Sequence, residues 1–290
     1  AAQKVLEQAV AISPHMVRRL RKLGEVALEN GDAEAAEKSF KQVVTRARYS
    51  EFRNPEDHVN LVKAMVTRGD VQGASGVIRD LERSMRGSAN TDACKSFSSA
   101  LLHEKMGNVG AAVAELQLAA SAARACHGLS SNLKIGLAQA CLEHRMDEQA
   151  SDVMMTVMHD ASSPVTVDQA MGVFVRAGRP DLADGMGQQL RAQAQILLGV
   201  ADEKRNMGDV RGAVQTLLEA LHMAPGNQGV IVAVAGGILR QVNELGWDHA
   251  LSEVALEQIE RLRALDPGHP RLAALSEEFQ QAKRKYGIST

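Results

Sequence analysis

Four bases crowd one short stretch near the start of the chain, Arg18, Arg19, Arg21 and Lys22 in "HMVRRLRKLG". Arginine binds carboxylate or phosphate through two parallel hydrogen bonds, so a cluster of this kind suits capture of an acidic segment. Glu25, Glu29 and Glu34 follow closely, and the same residues also suit a solvated face with balanced charge. Other groups able to do chemistry are sparse. Cys141 and His144 stand three apart, a spacing that puts two metal ligands on one helical face, but no second pair completes a tetrahedral site. Cys126 and His127 are adjacent and cannot chelate on their own. Gly185-Met186-Gly187 imitates a nucleotide loop without the preceding strand that such a loop requires. No Walker, HExxH, GxSxG or CxxC motif occurs, and the nine histidines are scattered. These residues point to no catalytic set, no metal and no cofactor, and the expected activity is non-enzymatic.

Composition narrows the partners further. The 290 residues carry a net charge of −2, which argues against a general nucleic-acid surface, because such binding draws its affinity from clustered Lys and Arg on phosphates. The three cysteines, at spacings of 32 and 15, fit neither a disulfide framework nor a zinc knuckle, and a reducing cytoplasm is the expected setting. No apolar run reaches the length of a bilayer span, so no membrane association is expected. Aromatic residues make up only 3% against 45% hydrophobic residues overall. That balance, with abundant Ala, Leu, Glu, Gln and Arg, is an all-helical composition.

Helices must position whatever binds, and they recur. "AQKVLEQAVAISP" (2–14), "AVQTLLEALHMAP" (213–225) and "ALEQIERLRALDP" (255–267) share a leading Ala, apolar residues on one helical stripe and a closing Pro. Looser copies begin at Ala36, Ala74, Ala112 and Ala183. Five residues ahead of most of these stands Gly followed by a polar residue: Gly31-Asp32, Gly69-Asp70, Gly107-Asn108, Gly178-Arg179 and Gly208-Asp209. Glycine supplies the left-handed residue that ends one helix, and Asp or Asn caps the next. Met146-Asp147 is read as a degraded copy, giving spacings of 38, 38, 39, 32 and 30. Small Gly24, on the face of Leu20, Leu23 and Ala27, allows a close helix crossing. Met154, Met155 and Met158 read as core filler rather than as an adaptable binding stripe.

This pattern resembles tetratricopeptide repeats, in which helix pairs of about 34 residues stack in register. The resemblance implies an all-α, right-handed α-α superhelix, a solenoid of about six to seven helix-turn-helix repeats with a capping helix at the C-terminal end. It would form a single domain over 1–290: residues 1–14 as the second helix of a truncated repeat, 15–267 as stacked repeats and 268–290 as capping helix and tail. First helices of this family line a concave groove, which would aim Arg18, Arg21 and Glu25 inward beside Asn60 and Lys63, with Leu28 and Val66 as apolar floor. The implied partner is a protein or peptide, with an acidic segment as the natural match. The chaperone-binding members grip a terminal carboxylate from three first helices, but Glu25 here replaces an Asn, and the third helix offers Ser96, Phe97 and Leu101. "ISPHMVRRLRKLGEVALENGD", "YSEFRNPEDHVNLVKAM" and "ALDPGHPRLAAL" also resemble the repeat region of bacterial response regulators that carry an N-terminal receiver domain. The start of the chain inside a hairpin fits a piece of such a protein. That likeness implies an output module working through protein binding; a peptide or small-ligand sensor and a general assembly adaptor are the alternatives.

Overall fold

Each tight turn is written in backbone hydrogen bonds before it is a matter of packing. The computed structural model describes residues 2–85, 87–126, 128–160 and 163–288. At Gly31 the chain turns left-handed (φ 76°), and the amide of Asp32 donates back to the carbonyl of Ala27 at 2.8 Å. The same six-residue bond closes the turns at Asp70, Asn108, Arg179 and Asp209, each 2.9 Å long. Asp32, Asp70 and Asp209 then accept a hydrogen bond from the backbone amide three residues on, which starts the next helix. His127 lies outside the described residues.

These turns yield an all-α chain of fifteen helices among the described residues, grouped in two compact units, Ala1–Val157 and Met158–Thr290. In the first unit run α1 (Ala2–Ile12), α2 (Val17–Glu29), α3 (Ala33–Ala47), α4 (Pro55–Arg68), α5 (Val71–Ser84), α6 (Ala89–Lys105), α7 (Val109–Arg124), α8 (Ser131–Glu143) and α9 (Asp147–Met158). Helices α2 and α3, α4 and α5, and α6 and α7 pack as hairpins, while α4 and α6 lie side by side. In the second unit run α10 (Val167–Arg176), α11 (Pro180–Asn206), α12 (Val210–Met223), α13 (Gln228–Leu245), α14 (His249–Leu265) and α15 (Leu272–Lys285). There α11 and α12, and α13 and α14, pair as hairpins, with α11 and α15 both against α13. No described helix is long and apolar enough to cross a membrane.

The core follows the repeated phrase. Its leading alanines, Ala36, Ala74, Ala112 and Ala150 in the first unit and Ala183, Ala213 and Ala255 in the second, are all buried. At such crossings a larger side chain would push the two helices apart. Gly24 meets the same limit from the facing helix, since a Cβ there would lie 2.6 Å from the ring of fully buried Phe40. Met154, Met155 and Met158 are buried, as core filler should be. In the second unit α15 lays Leu275 and Phe279 over α13, and the Trp247 ring stands 6.2 Å from those of Phe279 and Tyr286.

Two readings of the repeat need correction. The degraded turn is Arg145-Met146, one residue earlier than expected: Arg145 takes the left-handed conformation (φ 56°), and Met146 donates to Cys141 as Asp32 does to Ala27. The left-handed residues that close the hairpin turns of the first unit therefore stand at 31, 69, 107 and 145, a uniform period of 38, while a further one, Gly87, lies in the connection between α5 and α6. Moreover, "ADGMGQQLR" and "QILLGVADEKRN" are not separate helices; both belong to the 27-residue α11. Gln, Leu, Arg and Ala dominate the junction, no Pro or turn signal interrupts it, and propensity carries the helix through. Gly185 and Gly187 lie inside this helix, with Met186 buried between them, so they form no loop.

Two substitutions test these contacts. Gly24→Ala should destabilise the fold by about 1–2 kcal/mol in urea unfolding, the overpacking against Phe40 exceeding the gain in helix propensity. Arg145→Gly should stabilise it by about 0.5–1 kcal/mol, because a left-handed non-glycine residue costs about 1–2 kcal/mol and glycine's extra entropy cancels part of that. Arg145 is exposed and makes no ion pair with other described residues.

Candidate functional site

The basic helix α2 is engaged mainly by its own chain. The Arg21 guanidinium forms a two-pronged bond to Asp57, Nε to Oδ1 at 2.7 Å and Nη2 to Oδ2 at 2.8 Å, and also donates from Nη2 to the Phe52 carbonyl at 2.7 Å. Asp57 is buried in the first turn of α4, where Pro55 at the helix start and the Asn54 cap fix its direction. Burial pushes the Asp57 carboxyl up while Arg21 pulls it down, and Arg21 in turn is held above its ordinary value by the carboxylate it binds. The Arg18 guanidinium carbon lies 5.3 Å from the centroid of the Phe52 ring, exposed and without an ion pair. Arg19 donates to the Ala9 carbonyl at 3.2 Å, and Lys22 pairs with Glu25 at 3.2 Å. Arg18 and Arg21 thus pin the longer connection between α3 and α4 onto α2.

The residues expected on α4 have a different fate. Asn60 is half-buried and makes no hydrogen bond to other described groups. Three residues on, Lys63 extends over Phe97 of α6, Nζ 5.1 Å from the ring centroid, and reaches α8, where a Cβ on Gly136 would stand 3.2 Å from Nζ. Part of Lys63 keeps contact with solvent, yet its ammonium sits deep enough that burial lowers its pKa against the opposing pull of Glu56. Among the described residues it has no hydrogen-bond and no ion-pair partner. Glu56, two turns back along α4, is spent elsewhere: it accepts from the Ser130 amide at 2.7 Å and from the Ser130 hydroxyl, tying α4 to the cap of α8. Leu28 and Val66 are half-buried against the cluster built on Phe40, Leu61, Val62 and Met65. Asp57, Phe52 and Ser130 were not singled out from the sequence, and their distance of 31 to 74 positions from their partners gives no local signal.

The thiols are quiet. Burial pushes Cys141 up to about 12 and raises Cys94 and Cys126 as well, which keeps them protonated and poorly nucleophilic at neutral pH. His144 Nε2 stands 4.0 Å from Glu104 Oε1.

In the second unit a groove runs along α13 with α11 on one side and α15 on the other. Two adjoining cavities of about 320 and 430 Å³ make it up, and Arg205, Ala233, Gly237 and Arg240 line both. Val232, Ala233, Gly236, Gly237 and Arg240 fall on one stripe of α13, and the small residues make a floor of nearly bare helix. Gly237 is also required beneath, since a Cβ there would stand 2.5 Å from Leu217. Arg205 pairs with Asp202 at 2.8 Å, and Arg271 stands 3.9 Å from Glu278. The sequence signal for this groove is the Gly236-Gly237 pair inside a helix, which local propensity disfavours.

The two arginines should separate in unfolding experiments. Arg21→Ala leaves the buried Asp57 without its partner and should cost about 3 kcal/mol, whereas Arg18→Ala, which loses one exposed ring contact, should cost under about 1 kcal/mol. Equal losses in urea titrations would contradict this division.

No family model matches the sequence, and no curated protein matches it. Among solved structures it is similar to the Cut9–Hcn1 hetero-tetramer of the APC/C, at 12% identity and a TM-score of 0.34, covering 96% of this chain and 45% of that one. It is also similar to YrrB, described as a TPR protein with an unusual peptide-binding site, at 9% identity and a TM-score of 0.31, covering 94% and 97% of the two chains. The chain spans less than half the length of the Cut9–Hcn1 chain it matches. The architecture of this chain is all-α, its helices paired in hairpins.

Proposed function

We propose that the chain is a non-catalytic scaffold that holds a segment of another protein against its first-position helices. The observation that carries this reading is Lys63, an unpaired ammonium kept below its ordinary pKa between Phe97 and Gly136. Stability alone would place an apolar side chain there, because a desolvated charge without a partner costs free energy. A carboxylate supplied by a partner would offset that cost. Asn60, on the same helix and without a hydrogen bond to other described groups, adds a second polar contact, and Arg18 an exposed third. Arg21 acts in this scheme as a positioning residue through Asp57, while Leu28 and Val66 offer only their exposed edges as apolar floor.

A general adaptor and a small-ligand sensor would share this surface; the spread of Arg18, Asn60 and Lys63 over two helices, α2 and α4, favours the adaptor. The finer reading, an output module of a phosphorelay response regulator, is supported by the sequence resemblance alone. Its test is the coding sequence upstream: a receiver domain with a phosphoacceptor aspartate would uphold it, and any other domain there would end it.

Lys63→Met keeps the volume and removes the charge. It should raise stability by about 1 kcal/mol at neutral pH. The unmodified fold sheds the Lys63 proton before the unfolded chain does, so the difference should shrink as pH climbs from the lowered folded value toward 10.5. In affinity capture from a lysate the same variant, equally helical, should lose a protein that the unmodified chain retains. Identical retained proteins would overturn the role given to Lys63.

A further inference from the structure

We infer that the groove along α13 in the second unit is a separate binding site for an extended peptide carrying one acidic side chain, with Arg240 as its anchor. Of the three arginines around the groove, Arg205 and Arg271 already face Asp202 and Glu278. Among the described residues Arg240 has no hydrogen-bond, ion-pair or ring partner, and it is exposed. Glu244, four residues on, does not hold it either: this order along a helix is the weaker one for an ion pair, and the two form none.

Position decides the kind of carboxylate. Arg240 lines both cavities, one on the α11 side and one on the α15 side, so a chain laid through the groove has room on either side of the anchored group. That arrangement suits the side chain of an internal Asp or Glu rather than a chain end, which would fill one cavity and leave the other empty. The floor admits the peptide backbone closely because it is built from Ala233 and Gly236, with Gly199 on the wall where a Cβ would meet nothing. Charge at the ends sets the rest of the preference. Asp202 lines only the α11-side cavity and Glu244 only the α15-side one. Acidic residues next to the anchored one would face these carboxylates, so a single acidic residue among neutral neighbours fits better than an acidic tract.

The site differs from the Lys63 surface and is tested apart from it, although both rest on the scaffold reading. Immobilised nine-residue peptide pools, blocked at both ends, would carry Glu, Gln or three consecutive Glu at the centre and mixed residues other than Asp and Glu elsewhere. The full chain should be retained about tenfold more by the Glu pool than by the Gln pool, as a charge-assisted bidentate bond requires, with no further gain for the triple-Glu pool. Arg240→Gln should equalise the Glu and Gln pools. Gly199→Phe, or Ala233→Leu if the first variant loses helicity, should lower retention by every pool. Equal retention of Glu and Gln pools by the unmodified chain, or a Glu preference surviving Arg240→Gln, would overturn the acidic anchor. If both pools are held equally and both are lost on filling the groove, the scaffold reading survives without it; if no pool is retained, the site itself is refuted.

Discussion

Two helices joined by a turn of two or three residues can approach only as far as the side chains at their crossing permit. In this chain that distance is set by residues with almost nothing to remove. Ala36 and Ala213 are buried at such crossings, Gly24 faces Phe40, and Gly237 faces Leu217. Close crossing has two consequences. It buries a continuous apolar seam with few aromatic residues, because interdigitated Ala, Leu, Val and Met fill narrow gaps at the density of a protein interior. It also brings first-position helices such as α4 and α6, or α11 and α13, alongside one another, and every polar group considered above as a binding anchor stands on those helices.

Once the helices are this close, polar groups on them are either paired or expensive. Arg21 with Asp57 and Glu56 with Ser130 are paired, and both pairs tie α4 to elements distant in sequence. Removing one member of such a pair costs more than the pair contributes, since the survivor stays buried and unmatched. These bonds therefore determine where the connection between α3 and α4 lies and how α8 begins, without counting as large net stabilisers. Lys63 stands in the same neighbourhood with a ring beside it but no hydrogen-bonded or ion-paired partner among the described residues, and the contrast with Arg21, 42 positions earlier and fully engaged, separates a structural cation from a candidate functional one.

Much of this was legible in the residues. A glycine followed by a polar residue marked five turns, three of them Gly-Asp, because glycine adopts the left-handed conformation without strain and aspartate caps the following helix; the structure has both features at Gly31, Gly69 and Gly208. The sixth turn was misplaced by one residue because Arg145 adopts the same conformation without the residue type that signals it. The merger into α11 was hidden for the opposite reason: repeat logic expected a break where local propensity had none. Side-chain pairing was the least legible. A basic cluster announces itself, but whether Arg21 meets solvent, a partner or Asp57 depends on a connection whose path is set by contacts 31 and 36 residues away.

The two units treat their cations in physically different ways, and the difference follows from what surrounds the helix stripe. In the first unit the stripe of α4 faces Phe97 and the approach of α8, so Lys63 is crowded, and its charge is penalised by the loss of water. In the second, Gly236, Gly237 and Ala233 leave the stripe of α13 bare, and Arg240 keeps its water. A crowded ammonium gains much from a carboxylate but can be reached only along a restricted path. An exposed guanidinium gains less per contact, yet it selects by geometry, through two hydrogen bonds in a plane. The first arrangement favours discrimination by access and the second by shape, so the residue beneath each cation, a phenylalanine ring in one unit and bare glycine in the other, governs what kind of recognition that surface can perform.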